Sequence, residues 1–200
     1  IDNLYDANPQ VFRRHISDTL AQLSASKVNV VALQAFADPD GDGNVDAVYF
    51  YNHELPVAAD VFNTVAAAIQ QENITVVAWM PGLAYTPFLA ADGSDTVQGL
   101  QGQTGWYRRL SPFYEQGLQR IQNLYGDLGR YTTAQGILLQ DDLYLNDFED
   151  ASPAGQKVYE KIFGHPFTEQ KGAQGQQWAA LKTDRLDEVA DRELQLPPDP

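Results

Sequence analysis

Two adjacent aspartates, Asp141 and Asp142, are the residues with the clearest potential for chemistry, and they end the apolar run GILLQDD. Cleavage of a glycosidic bond needs one carboxylic acid to protonate the leaving oxygen and one carboxylate to act as base or nucleophile. Because neighbouring residues of a strand point to opposite faces, we expect one aspartate to face a cleft while the other orients it. Spacing alone is equally compatible with catalysis and with turn capping. The candidates for a second carboxylate are Asp38, Asp40, Asp147 and Glu149.

A second acidic stretch, DPDGDGNVD, occupies residues 38–46. Asp38, Asp40 and Asp42 match the first ligand positions of a calcium-binding EF-hand loop. Tyr49 stands where that loop needs a bidentate glutamate, and the preceding segment has the pattern of a strand instead of a helix. We therefore expect a glycine-containing turn on the rim of a cleft and no metal. Calcium held by the three aspartates is the lesser alternative.

Aromatic and basic residues accompany these acids. Trp79 ends a strand-like run, where an indole can stack on a sugar or pack in the core. Tyr107 and Arg109 can orient carboxylates and sugar hydroxyls, and Tyr144 closely follows the aspartate pair. The expected substrate-binding residues are Asp38, Asp40, Trp79, Tyr107, Arg109 and Tyr144.

Three short apolar runs position these residues, at 28–36, 74–81 and 136–142. Each has the composition of a strand buried on both faces, and residues 1–5 predict a weaker first strand. Helical spacing of apolar residues between the runs predicts alternating strands and helices, with a further helix around 178–189. We expect an α/β fold, the first half of a (β/α)8 TIM barrel over residues 1–192, followed by a tail or linker at 193–200. In such a barrel the loops after the strands share the catalytic face.

Helix ends carry sequence signals as well. Ser111 and Ser152 each precede a proline and are predicted to begin helices. Gly129 and Gly164 are predicted to end them. Half a barrel leaves strand edges unpaired, so we expect the remaining half of the barrel, or some other cover, as a partner.

Composition narrows the class of ligand. The 200 residues include 27 acidic and 13 basic side chains, a net charge of −14, which argues against nucleic acid or an anionic membrane as partner. A cationic or neutral polar ligand fits better. The absence of cysteine excludes disulfides and a cysteine nucleophile. No phosphate-binding loop or serine-hydrolase elbow is present, and we expect no cofactor.

Four blocks of sequence, in order, closely resemble the C-terminal domain of bacterial poly-β-1,6-N-acetyl-D-glucosamine N-deacetylases of the PgaB/HmsF type. These blocks are LQAFADPDGDGNVDAVYF, VVAWMPGL, YRRLSPF and GILLQDDLYLNDFEDAS. The resemblance runs from residue 1 to about 163. It maps the family's aspartate pair to Asp141 and Asp142, and its conserved tyrosine, arginine and tryptophan to Tyr107, Arg109 and Trp79. Gln140 departs from the pattern, because the family usually has histidine there.

The resemblance implies a glycoside-hydrolase-like barrel domain that follows a metal-dependent deacetylase domain in a periplasmic, outer-membrane-associated protein. Such domains bind the partly deacetylated biofilm polysaccharide for export, with an outer-membrane porin as a possible partner, and some members cleave it. Three hypotheses remain open: a hydrolase of this polymer, a non-catalytic binding and export module, and a calcium-stabilised structural domain. Deacetylation is not expected from this chain, since it has no His/Asp metal cluster.

Overall fold

The computed structural model describes residues 1–168 and 171–195. It contains five α-helices, five short strands and one 3-10 turn in the described ranges. In chain order these are α1 (Pro9–Ala25), β1 (Val30–Gln34), β2 (Phe36–Ala37), β3 (Ala47–Val48), α2 (Phe62–Gln70), β4 (Thr75–Met80), the 3-10 turn (Thr86–Phe88), α3 (Glu115–Tyr131), β5 (Ile137–Leu139), α4 (Pro153–Phe163) and α5 (Gly172–Leu194). The predicted α/β class and the helix near residue 178 are confirmed.

The central sheet is parallel and has the order β1-β4-β5. Gln34 pairs with Trp79, and Met80 pairs with Leu139. Strands β2 and β3 form a separate antiparallel ribbon directly after β1. Since parallel strands of one sheet end at the same edge, the residues that follow β1, β4 and β5 are neighbours in space.

Among the described residues, helices cover one face of this sheet and leave the other uncovered. Val76, Ala78 and Met80 of β4 are fully buried on that face, and they belong to one core with apolar residues of α2 and α3. On the opposite face Val30 is 52% exposed and Leu138 is 47% exposed. The prediction that all three strands are buried on both faces is therefore wrong for β1 and β5, because no described layer packs on the second face.

Several predicted element ends differ from the structure. Residues 1–5 form a turn instead of a strand, because the amides of Leu4 and Tyr5 both donate to the carbonyl oxygen of Ile1. Helix α3 begins at Glu115, one turn after Ser111, and it continues through Gly129 to Tyr131.

Other predicted ends are confirmed. The Ser152 side chain caps α4 by accepting from the amide of Gly155, and α4 ends at Gly164 with φ 76°.

Helix α5 includes Glu193 and Leu194, the first residues of the expected tail, while residues 196–200 lie outside the described part of the chain.

Helix α5 packs on the fold through Val189 in the main core and through a second apolar cluster. Trp178 of α5 is fully buried and stacks on Phe113, with ring centroids 5.3 Å apart. Tyr159 of α4 packs edge-on against the same indole. None of the helices that the structure describes is long and apolar enough to cross a membrane.

Candidate active site

A cleft of about 690 Å³ lies at the carboxyl ends of β1, β4 and β5. Gln34 ends β1 and pairs with Trp79, the second-last residue of β4, while Gln140 directly follows β5. The residues lining the cleft are Asp2, Asn3, Gln34, Phe36, Asp38, Pro39, Gly43, Tyr49, Trp79, Trp106, Tyr107, Gln140 and Asp141. Asp38, Trp79, Tyr107 and Asp141 were expected at the site and are brought together here.

Asp141 is the exposed member of the aspartate pair, and its carboxylate faces the cleft. Its Oδ1 accepts a hydrogen bond from the Tyr107 hydroxyl at 3.2 Å. Partial burial, and then the hydrogen bond to Asp141, raise the pKa of Tyr107. Tyr107 therefore keeps its proton at neutral pH and acts as a donor that fixes the orientation of Asp141.

Gly43 makes room for the Tyr107 ring. Its φ of +87° is in the left-handed region, and a β-carbon at this position would lie 2.6 Å from a carbon of that ring. Any larger residue would both strain the turn and displace the tyrosine. The glycine of the acidic turn thus positions a residue that is more than sixty positions away in the sequence.

Asp142 occupies a different environment from its neighbour, because it is fully buried. Its Oδ1 accepts from the amide of Gly82 at 2.8 Å, and its Oδ2 accepts from the amides of Leu83 and Ala84 at 2.7 and 2.8 Å. Burial raises the pKa of Asp142, although the three amides oppose that shift. Asp142 does not line the cleft, so the expectation that it acts as acid or base does not fit its position; it fixes the turn after β4.

A second buried acid lies near Asp142. Both carboxylate oxygens of Glu193 in α5 are buried, and neither has a hydrogen-bond partner among the described residues. Burial, and then the charge of Asp142, raise the pKa of Glu193 well above its ordinary value. Glu193 is accordingly protonated over a wider pH range than an exposed glutamate.

The acidic turn is held together by its own aspartates. Asp38 accepts from the amides of Gly41 and Gly43 at 2.9 and 3.0 Å, while Asp42 accepts from the amide of Asn44. Burial raises the pKa of Asp38. Ligand atoms of Asp38, Asp40 and Asp42 lie within 4.8 Å of one another. The hydrogen bonds that Asp38 and Asp42 accept from backbone amides are those of the predicted glycine-containing turn. Of the three, only Asp38 lines the cleft, so Asp40, which was expected to bind substrate, lies outside it.

Asp2 lines the cleft, although the sequence did not single it out. Its Oδ1 accepts from the Tyr49 hydroxyl at 2.5 Å, and its Oδ2 accepts from Gln34 Nε2 at 2.9 Å and from the amide of Asp38 at 3.3 Å. Burial, and then this bond to Asp2, raise the pKa of Tyr49. A sequence signal for Asp2 was available. It is an acidic residue in the predicted first strand, and the end of that strand would share the edge of the sheet where the cleft lies.

Arg109 and Tyr144 were expected to bind substrate, but neither lines the cleft. Arg109 is almost fully buried and forms an ion pair with Glu149, with Nη2 and Oε1 2.9 Å apart. Its guanidinium also donates to the carbonyl oxygen of Tyr144 and lies 4.0 Å from the centre of that ring. Lys182 of α5 donates to the carbonyl oxygens of Asn146 and Glu149 at 2.5 and 2.8 Å. These contacts brace the loop that follows Asp141, and Glu149 is unavailable as the second carboxylate.

Two tryptophans contribute to the cleft. Trp79 is partly buried and meets Phe36 edge-on, with ring centroids 5.4 Å apart. Trp106 is 73% exposed and was missed in the sequence, although it directly precedes Tyr107. None of the cleft carboxylates of Asp2, Asp38 and Asp141 forms a salt bridge within the described residues, so the cleft is net negative.

Known proteins resemble this chain in sequence. A family model described as "Hypothetical glycosyl hydrolase family 13" (GHL13) matches residues 1–196. The chain belongs to the GHL13 family. The poly-β-1,6-N-acetyl-D-glucosamine N-deacetylases of Escherichia coli K12 and O157:H7 are each 36% identical to this GHL13 chain over 93% of its length. The chain spans 29% of the length of these relatives.

Solved structures give the same relationship. The PgaB (BpsB) glycoside hydrolase domain from Bordetella bronchiseptica matches 96% of the GHL13 chain with a TM-score of 0.80 and 31% identity, and 57% of that domain is covered. A hypothetical protein from Ruminiclostridium thermocellum shares the fold, with a TM-score of 0.55 and 13% identity. The resemblance to this deacetylase family, and specifically to its glycoside hydrolase domain, is confirmed.

Proposed function

We propose that this chain binds and hydrolyses partly deacetylated poly-β-1,6-N-acetyl-D-glucosamine. The observation that carries the proposal is the Asp141 carboxylate, exposed in a cleft at the strand ends and held by the Tyr107 hydroxyl. A polymer of this kind carries ammonium groups on its glucosamine units, and the unpaired cleft carboxylates attract them. The names of the Escherichia coli and Bordetella relatives support the choice of polymer and of reaction class.

In this mechanism Asp141 acts as the acid or base at the glycosidic oxygen. The second carboxylate that the reaction requires is Asp38 or Asp2, since both line the same cleft. Tyr107 orients Asp141 through its hydrogen bond, and Trp79 offers an apolar surface to a sugar ring. No cofactor takes part in these steps.

The sheet is, in this proposal, the first part of a (β/α)8 barrel. The uncovered face, with Val30 and Leu138 exposed, is the face that a closed barrel would turn inward. The remaining strands belong to a longer protein that also carries a deacetylase domain. A periplasmic, outer-membrane-associated location and an export porin as partner belong to the same proposal and rest on the resemblance.

The second candidate function is a non-catalytic polysaccharide-binding module that uses the same cleft. Gln140 favours it, because this neutral side chain lines the cleft beside Asp141 and provides no titratable group to tune the carboxylate. Sugar binding needs the carboxylates, the indole and the hydroxyl donors but no proton transfer. Both functions therefore predict binding, and only the first predicts shorter products.

The test is mass spectrometry of a digest of the partly deacetylated polymer. The chain is compared with Asp141→Asn and with Asp18→Asn, which removes an exposed charge on α1 away from the cleft. Shorter oligosaccharides from the unmodified chain and from Asp18→Asn, but not from Asp141→Asn, support hydrolysis. An intact polymer that still binds in calorimetry favours the binding module. Absence of binding refutes both functions.

A further inference from the structure

Trp106 has an exposed aromatic surface that the mechanism above does not use. Its side chain is 73% exposed, although tryptophan is among the residues that bury most apolar area in folded proteins. The indole lines the cleft together with Asp141 and Tyr107. A large aromatic surface left open beside converging polar groups is typical of a ligand-binding site.

The position of Trp106 relative to the reacting carboxylate is set by Tyr107. The two rings lie 4.7 Å apart between centroids, tilted by 39°, and the Tyr107 hydroxyl donates to Asp141. The indole therefore lies on the same wall as Asp141, with the tyrosine ring between them. A polymer that is held at Asp141 and runs along this wall would bring a neighbouring unit to the indole.

The backbone beside Trp106 is fixed in place. Asn44 is buried and forms two reciprocal bonds with Arg108: its Nδ2 donates to the carbonyl oxygen at 2.7 Å, and its Oδ1 accepts from the amide at 3.1 Å. The amide of Leu110 also donates to the carbonyl oxygen of Leu83. An aromatic platform held by such contacts needs little ordering when a ligand binds.

We propose that Trp106 forms an additional sugar subsite by stacking on the polymer unit next to the one held at Asp141. This inference rests on the proposed polysaccharide ligand. In a β-linked glucosamine unit the ring substituents are equatorial, so each face of the ring presents C–H groups that pack against an indole. An ammonium group on the same unit adds a cation–π attraction, which is strongest for tryptophan among the aromatic residues.

The test compares binding of the monosaccharide glucosamine and of β-1,6-linked glucosamine trisaccharide in calorimetry. Trp106→Ala should weaken trisaccharide binding by about 2- to 10-fold, the range expected for loss of one aromatic contact, and leave monosaccharide binding unchanged. Trp106→Phe should recover most of the affinity. Phe148→Ala is the matched control, because Phe148 is 46% exposed but does not line the cleft.

Fluorescence provides a readout that does not depend on affinity. Trp178 is fully buried, so a ligand-induced blue shift must come from Trp79 or Trp106. The contribution of Trp106 should be lost in Trp106→Phe, which leaves only that of Trp79. Trisaccharide binding that is equal in the unmodified chain and Trp106→Ala overturns the subsite while leaving the proposed function intact. An equal loss for both sugars overturns the placement beside Asp141. Failure of the unmodified chain to bind either sugar overturns the proposed function and the subsite with it.

Discussion

The same substitution at two adjacent positions, Asp141→Asn and Asp142→Asn, should give opposite results. Asp141 is exposed in the cleft with one hydrogen bond, to Tyr107. Asp142 is buried and accepts from three backbone amides. We expect Asp141→Asn to lose cleavage without losing stability, and Asp142→Asn to lose stability first.

The loss at Asp142 can be worked out from its three bonds. An asparagine oxygen can still accept from Leu83 and Ala84, but the new amino group then faces the amide of Gly82, which leaves one buried donor unsatisfied. Such a donor costs about 1–3 kcal/mol, and the two retained bonds weaken because their acceptor is no longer charged. A total of about 2–4 kcal/mol corresponds to a fall in Tm of roughly 5–15 °C for a domain of this size.

At Asp141 the same change removes little from the folded state. The asparagine oxygen can still accept from the Tyr107 hydroxyl, and an exposed substitution usually alters stability by less than about 0.5 kcal/mol. The charge, however, is removed from the cleft, and an amide cannot act as an acid or base. Cleavage of the polymer should therefore fall to background.

The assay combines thermal unfolding followed by circular dichroism with mass spectrometry of the polymer digest. Digests are made well below the Tm of both variants, so that only folded protein is compared. If Asp142→Asn keeps the Tm of the unmodified chain and abolishes cleavage, the assignment of roles to the two aspartates is refuted. A large fall in Tm for Asp141→Asn would equally contradict the exposed position of that side chain.

Other substitutions test the buried acids and the packing around the cleft. Folding raises the pKa of Glu193, so the native state holds a proton that the unfolded chain releases, and stability falls as pH rises above about 4.3. Glu193→Gln should make the free energy of unfolding, measured in urea, depend less on pH. An unchanged pH dependence would contradict this role of Glu193. Gly43→Ala and Gly41→Ala should each lower the free energy of unfolding by about 1 kcal/mol, because both positions have a positive φ. Only Gly43→Ala should weaken oligosaccharide binding, because its methyl group displaces Tyr107. Equal binding by both variants would refute that contact with Tyr107. Arg109→Met should cost about 3–5 kcal/mol in urea unfolding, since it leaves a buried carboxylate unpaired, and a loss below about 1 kcal/mol would show that carboxylate to be solvated.

The apolar runs of the sequence predicted the site residues that lie at or just after the ends of strands. The apolar runs at 28–36, 74–81 and 136–142 indicated parallel strands, and the ends of parallel strands meet at one edge. That rule alone brought Asp38, Trp79 and Asp141 together, as the structure has them. The two adjacent aspartates do face different environments, but strand alternation is not the reason, because β5 ends at Leu139 and both residues lie in the turn that follows it.

Residues whose positions depend on long-range contacts could not be predicted in this way. Arginine side chains are usually exposed. Arg109 is buried here because Glu149, 40 positions later, supplies a carboxylate in the interior. Asp2 reaches the cleft from a turn, with Tyr49 and Gln34 as its donors. No periodicity in the sequence encodes either contact.

Our proposal of a cationic sugar as ligand rests more on which acids have ion-pair partners than on the net charge. Among the described residues the arginine ion pairs lie outside the cleft, between Arg109 and Glu149, Arg120 and Glu54, and the α5 arginines and Glu115. The cleft carboxylates instead accept from amides and hydroxyls, which orient a carboxylate without cancelling its charge. A negative potential therefore remains where the strand ends open to solvent, and an ammonium group of the proposed ligand would supply the missing cation. The acids that pair with arginine elsewhere are neutralised, so they hold the fold together without competing for that ligand.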